Sequence, residues 1–260
     1  MSDGERIAKL MARTGAGSRR EVERMIAEGR VARNGKVLTS PALNLTSLSG
    51  VTLDGKPLQQ KRNTSLWLFH KPAGCLTTGQ DPKGRKTVYD LLPPDLPRLL
   101  TVGRLDYNTE GLLIFTNDGE LKRALELPKH GVERRYRVRV FGDVHQDSLE
   151  HLADGVTIEG VRYRSIEANL DRKSGKYAWL SVALTEGKNR EIRRVMEYLD
   201  LQVARLIRTG YGPFELEDLP VGQIAQLNQQ AVQAAWESTR GKAEGDADSA
   251  VDPAAAPWRP

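Results

Sequence analysis

The segment Arg135-Tyr136-Arg137-Val138-Arg139-Val140-Phe141-Gly142 constrains the fold of this chain more than any other. Its strict alternation sends Tyr136, Val138 and Val140 to one side of a strand and three arginines to the other. Residues 177–187, YAWLSVALTEG, alternate in the same way, so a sheet with one buried side is required. LWLFHKPAG reads as a further strand that stops at Pro72, and GLLIFTND (111–118) as a buried one. Asp118 is placed to cap a helix containing Leu121, Leu125 and Leu127. Many short strands with Gly/Pro punctuation and few helices predict an α+β body around a mainly antiparallel sheet.

The first quarter of the chain has a different pattern. Ile7, Leu10 and Met11 share one helical face, and Gly15 and Gly17 break that helix. Ser18-Arg19-Arg20-Glu21 has the form of a capping box before a second helix, whose apolar stripe is Val22, Met25 and Ile26. Arg19, Arg20 and Arg24 then point away from the stripe, and Gly29 is the expected terminator. Asn34-Gly35 predicts a hairpin over Val31 to Val37, and Gly50 to Leu53 predicts another strand.

Charge divides along the same boundary. Residues 1–64 hold 12 Lys/Arg against 6 Asp/Glu, whereas residues 65–237 hold 24 against 24. The excess positive charge is confined to the first module, which is therefore expected to seek a polyanion. No run approaches the roughly 18 apolar residues of a membrane-spanning helix, so no membrane association is expected. One cysteine, Cys75, excludes an intramolecular disulfide and favours a reducing cytoplasm. Four scattered histidines make a metal site unexpected. Residues 238–260, rich in Ala, Gly, Pro and Asp, read as a disordered tail.

Chemistry concentrates in Val102-Gly103-Arg104-Leu105-Asp106-Tyr107-Asn108-Thr109-Glu110-Gly111-Leu112-Leu113. A carboxylate lies between a glycine turn and an apolar strand, with an arginine two residues before it. The RLD tripeptide by itself is an ordinary turn, in which the aspartate caps the backbone. A second informative stretch, Lys188-Asn189-Arg190-Glu191-Ile192-Arg193-Arg194-Val195-Met196, opens a helix after Gly187. Ile192, Val195, Met196 and Leu199 share one of its faces, and Arg193 and Arg194 turn elsewhere.

The whole string GRLDxxTEGLLxFTNDGEL resembles the catalytic-aspartate motif of pseudouridine synthases, in the branch that also carries an S4 RNA-binding domain. The resemblance continues through RRYRVRVFG, LTEGKNREIRRVMEYLDLQVARLIRTGYGPFEL and LPVG, over about residues 65–225. Residues 5–58, with GRVARNGKV and VTLDGKPL, resemble the S4 fold, departing from its usual pattern at Arg33. The organisation implied is an S4 domain over 1–60, a linker over 61–65, a synthase catalytic domain over 66–237 and the tail.

The resemblance implies a cofactor-free isomerisation of uridine in ribosomal RNA, free or in a pre-ribosomal particle; oligomeric state stays open, with a monomer as the default. The uracil leaves C1′ through N1, turns, and rejoins through C5. Asp106 takes the role of the catalytic carboxylate, which needs no partner base to be ionised at neutral pH. Its first contact, ribose or uracil C6, stays open. Arg104 matches the arginine that fills the space of the flipped base. Tyr136 matches the tyrosine over the target base, and Arg193 the cation that pairs with the aspartate, where many relatives have lysine. Ile192 and Leu206 match apolar residues beneath the uracil. Lys71, Arg190, Arg194, Arg205 and Arg208 are candidate phosphate contacts, beside Arg19, Arg20 and Arg24 of the S4 segment.

The motif favours large-subunit ribosomal RNA as substrate. A small-subunit enzyme and a non-catalytic assembly factor are the alternatives. A methyltransferase would need a glycine-rich loop after a strand. The only candidate, TGAGS at 14–18, lies between two helices. A glycosidase would need a second carboxylate, for which only Glu110 is near.

Overall fold

The 135–142 alternation builds the middle of a nine-stranded sheet. The structure, a computed structural model, describes residues 4–58 and 63–240. Strand order across the sheet is Ile166–Ser174, Tyr177–Leu184, Arg134–Phe141, Gln202–Tyr211, Glu110–Thr116, Leu66–Lys71 and Ile224–Gln226. Leu100–Val102 and Phe214–Glu215 pair at its margins. Every pairing in the sheet is antiparallel except that of Gln202–Tyr211 with Glu110–Thr116.

Val138 and Val140 are fully buried, as are Leu180 and Val182 beside them. The helix Glu191–Tyr198 lays Ile192, Val195 and Met196 onto that face. A second core joins Leu112, Ile114, Leu121, Leu125 and Tyr211, and a third joins Trp67, Phe69, Phe115 and Leu105. Asp118 caps the helix Gly119–Glu126 by accepting from Glu120 N–H at 2.8 Å. The body is thus the expected α+β arrangement. No helix among the described residues is long and apolar enough to cross a membrane.

The first module has its own core, centred on Ile7, Met11, Val22, Ile26 and Val31. Its helices are Ile7–Arg13 and Arg19–Ala27, and the second carries the capping box between Ser18 and Glu21. Positive φ at Asn34 and Gly35 makes the tight hairpin between Val31–Arg33 and Lys36–Val37. Glu120 of the body pairs with Lys9 at 3.0 Å and also with Arg13, and Arg98 approaches Glu21 at 3.8 Å. Arg19, Arg20 and Arg24 remain exposed, Arg24 with Glu28 as its partner at 3.6 Å.

Residues 61–62 of the expected linker lie outside the described residues; Thr64 is already tied to Asp118 at 2.7 Å. The expected tail starts too early at 238. Ser238 and Thr239 close the helix Gln229–Glu237 by donating to Ala235 and Trp236 carbonyls, and Thr239 is buried. From 241 onward the tail lies outside the described residues.

The single parallel pairing is made possible by Gly111. It has φ +103°, and a Cβ there would stand 2.2 Å from the Arg208 carbonyl oxygen. Both the conformation and the approach exclude a side chain. Gly111→Ala is expected to cost about 3 kcal/mol of stability, read as a lowered thermal midpoint.

Candidate active site

Asp106 stands on the loop between Leu100–Val102 and Glu110–Thr116, at the mouth of a cleft of about 520 Å³. The same cleft is lined by Arg104, Tyr136, Arg190, Ile192, Arg193 and Leu206. Sequence positions spanning a hundred residues therefore meet at one place. Tyr136 reaches it because the central strand turns Tyr136, Val138 and Val140 to one face. Leu206, opposite Val138 in register, arrives from the neighbouring strand. Ile192 and Arg193 arrive on the first turn of the helix Glu191–Tyr198.

The Asp106 loop is held at almost every residue. Gly103 N–H donates to Glu126 Oε1 at 2.6 Å. Thr77 Oγ1 donates to the Leu105 carbonyl at 2.9 Å and accepts from Leu105 N–H at 3.2 Å. Gly74 N–H meets the Tyr107 carbonyl at 2.8 Å, and Thr109 N–H meets the Asp106 carbonyl at 3.0 Å. Behind the loop, the Lys71 ammonium donates to the carbonyls of Pro72, Tyr107 and Thr109 at 3.0, 3.3 and 2.9 Å.

Lys71 therefore corrects the sequence reading. It is wholly buried and cannot touch a phosphate. An inward strand position buries it, and three loop carbonyls replace its water. Burial lowers its pKa, opposed by the nearby Cys75, Asp106 and Glu110. Arg208 is corrected likewise. It is 2% exposed, donates through Nε to the Leu112 carbonyl at 2.7 Å, and lies 5.0 Å from the Tyr211 ring centroid. Arg205 is exposed but grips Glu110 through two hydrogen bonds of 2.9 Å and is absent from the cleft. Arg194 is exposed, lies outside the cleft lining and bonds the Tyr163 hydroxyl, which raises its pKa.

Arg193 Nε lies 3.9 Å from Asp106 Oδ2, an ion pair longer than a hydrogen bond. Its Nη2 donates to the Asn108 carbonyl at 3.3 Å, so one guanidinium addresses the carboxylate and its loop together. Burial lowers the Arg193 pKa, Arg190 adds to the shift, and Asp106 opposes it. A guanidinium remains charged under such a shift, which suits it to a partly buried pair.

Sequence reasoning missed Thr77, Glu126, Arg134, Tyr211 and Glu191. The guanidinium groups of Arg134 and Arg208 each lie 5.0 Å from the Tyr211 ring centroid, and Tyr211 donates to the Leu125 carbonyl at 2.9 Å. The Arg134–Tyr211 and Tyr211–Leu125 contacts join residues 77 and 86 positions apart and leave no local pattern. The exception is Arg134, whose burial is hinted at by the register of the alternating strand. Glu191 is 4% exposed at the first turn of its helix and accepts from Lys188 N–H at 2.7 Å. Burial raises its pKa.

Residues 65–198 match the family model for RNA pseudouridylate synthase, and residues 5–47 match the S4 domain. The chain belongs to the RNA pseudouridylate synthase family. An "uncharacterized RNA pseudouridine synthase" of Rickettsia bellii is 41% identical over 223 residues, covering 86% of this chain and 96% of the relative. A "ribosomal large subunit pseudouridine synthase B" of Yersinia pestis is 43% identical over 237 residues, covering 88% and 74%. A solved pseudouridylate synthase structure superposes with a TM-score of 0.64 at 23% identity, over 88% of this chain and 99% of that one, which supports the fold. The family's members are isomerases that act on RNA, and this chain is one of them.

Two outcomes follow from the buried groups. Lys71→Met leaves the loop carbonyls without their donor and is expected to cost about 2 kcal/mol of stability. The salt dependence of RNA binding should not change, because the ammonium never meets solvent. Thermal melts and binding titrations at several salt concentrations check both halves. Glu191 has a raised folded-state pKa, so the stability associated with its neutral form is lost as pH rises through that value. Glu191→Gln should therefore raise the thermal midpoint at neutral pH. The gain should vanish below about pH 4, where both side chains are neutral.

Proposed function

We propose that this synthase isomerises a uridine of large-subunit ribosomal RNA, with Asp106 as its catalytic carboxylate. The observation that carries the reading is the convergence of Asp106, Arg193 and Tyr136 in one cleft, on a loop whose backbone is fixed from Gly103 to Thr109. The large-subunit assignment rests on the relative from Yersinia pestis and others of the same name in Pasteurella multocida and Haemophilus influenzae, at 43–44% identity.

In this reading the N1–C1′ bond of the target uridine breaks, the uracil turns, and C5 joins C1′. The C5 proton leaves and N1 ends protonated, so atoms balance without a donor or a redox partner. Asp106 faces the reacting ribose and base from a loop whose backbone is fixed from behind, so little reorganisation is needed on binding. Arg193 supplies the counter-charge beside it, and the pair shortens once RNA excludes water. Tyr136 and Leu206, half-buried and buried, give the uracil an apolar bed, with Ile192 beside them. Arg104, exposed at the cleft, takes the space the base vacates. Arg190 lies at the cleft margin, where phosphates of the same strand would pass.

The exposed arginines of the second S4 helix supply sequence-independent attraction to the RNA. The enzyme is taken to act as a monomer. Buried Cys75 suits the reducing cytoplasm in which ribosomal RNA is matured.

Asp106→Asn keeps the shape of the side chain and removes its charge. Tritium release from C5-labelled uridine in large-subunit RNA should fall by at least about 10³-fold, and RNA affinity should change less than about threefold. Turnover by the variant at the rate of the parent would overturn the assignment.

A further inference from the structure

The central strands have a second face that the Asp106 cleft does not use. Strand register sets Arg172, Trp179, Arg139 and Arg205 in one row across four strands. The row beyond it contains Tyr177 and Phe141, which face each other across the strands. On the other side of these same strands lie Val138, Val140, Leu180 and Val182, all buried. This outer face is covered by nothing among the described residues. Tyr177 is 40% exposed and Phe141 38%, and Arg139 and Arg172 are open to solvent.

The rings and cations form one assembly. The Arg139 guanidinium lies 4.3 Å from the Tyr177 ring centroid, and Arg137 lies 5.2 Å from that of Trp179. Phe141 and Tyr177 meet edge to face at 5.2 Å, with the Lys176 ammonium 6.0 Å from Phe141. Arg205 is matched by Glu110 and Arg137 by Asp171. Arg139, Arg172 and Lys176 have no carboxylate within ion-pair distance among the described residues. Three uncompensated cations around half-exposed aromatic rings form a surface complementary to a chain of phosphates and flat bases.

We infer that this outer sheet face binds an unpaired RNA strand, with bases against Tyr177 and Phe141 and phosphates at Arg139, Arg172 and Lys176. A duplex offers no free base face to the rings, and an acidic protein surface would match the cations without using the rings. The inference rests on the reading that RNA is the substrate, and it adds a contact remote from the target uridine. Since the face lies on the reverse of the cleft, one RNA can occupy both only by passing around the sheet margin. The strand bound here is therefore a flanking segment of the substrate.

The test uses the full chain and a fluorescent oligoadenylate of about 12 nucleotides, which contains no uridine and so cannot occupy the cleft as substrate. Fluorescence anisotropy should show binding to the parent protein. Affinity should fall about tenfold in the double variant F141A/Y177A and in R139E, a change at an exposed position that leaves the core intact. Tritium release from a short hairpin bearing the target uridine should match the parent in both variants. Parental oligoadenylate affinity in both variants would overturn the inference, as would a loss seen only on removing the S4 arginines. Self-association abolished by the variants, with oligoadenylate binding unchanged, would make the face a dimer contact instead and would equally overturn it. A parent protein that releases no tritium would contradict the synthase reading and leave the oligoadenylate result standing.

Discussion

The buried ammonium of Lys71 holds the structure of the site together. It terminates the strand Leu66–Lys71 and reaches the carbonyls of Tyr107 and Thr109, just after Asp106, 36 and 38 residues further along. A lysine without water is tolerated only if its donors find acceptors of comparable strength. Here the acceptors are the backbone of the catalytic loop itself, so the cost of burying the charge and the placement of Asp106 are satisfied by one set of contacts. Gly74, Thr77 and Glu126 complete the restraint from other directions. The carboxylate is thus presented by a rigid loop, the condition under which a fixed charge acts on a reacting centre with little reorganisation.

The sheet supplies the rest through register. Alternation sends Tyr136 to the cleft and Arg137 and Arg139 to the outer face, so a slip of one residue would exchange the two sets. The parallel pairing at Gly111 and Arg208 joins the half of the sheet bearing Asp106 to the half bearing Tyr136 and Leu206. Near this seam Arg134 and Arg208 both approach the Tyr211 ring, and both are buried and anchored to backbone carbonyls. Cations placed so near the floor of the cleft leave it electropositive, which favours an RNA chain entering it.

Much of this was legible from residues alone. The alternating strands, the Ser18–Glu21 capping box, the Asn34-Gly35 turn and the Asp118 cap are local devices and appear where their patterns place them. Asp106, Tyr136, Arg193, Ile192 and Leu206 were assigned by family resemblance, and the fold brings them to one cleft. What failed was the distinction between exposed and buried basic residues. Lys71 and Arg208 look like any other cations of a basic RNA enzyme, and nothing near them in sequence announces the carbonyls they meet. Apart from that of the adjacent Pro72, these carbonyls lie 36 to 96 residues away. Thr77 and Glu126 escaped notice for the same reason. Ser238 and Thr239 were assigned to the tail on composition, although hydroxyl bonds to the last helical turn attach them to the body.

The most direct test of the account is a map of pseudouridine in ribosomal RNA from cells lacking this protein, compared with cells restored with the parent chain or the Asp106→Asn form. The account predicts loss of modification at a large-subunit uridine, recovered with the parent and not with the variant. An unchanged large-subunit map, or recovery with the variant, would contradict it.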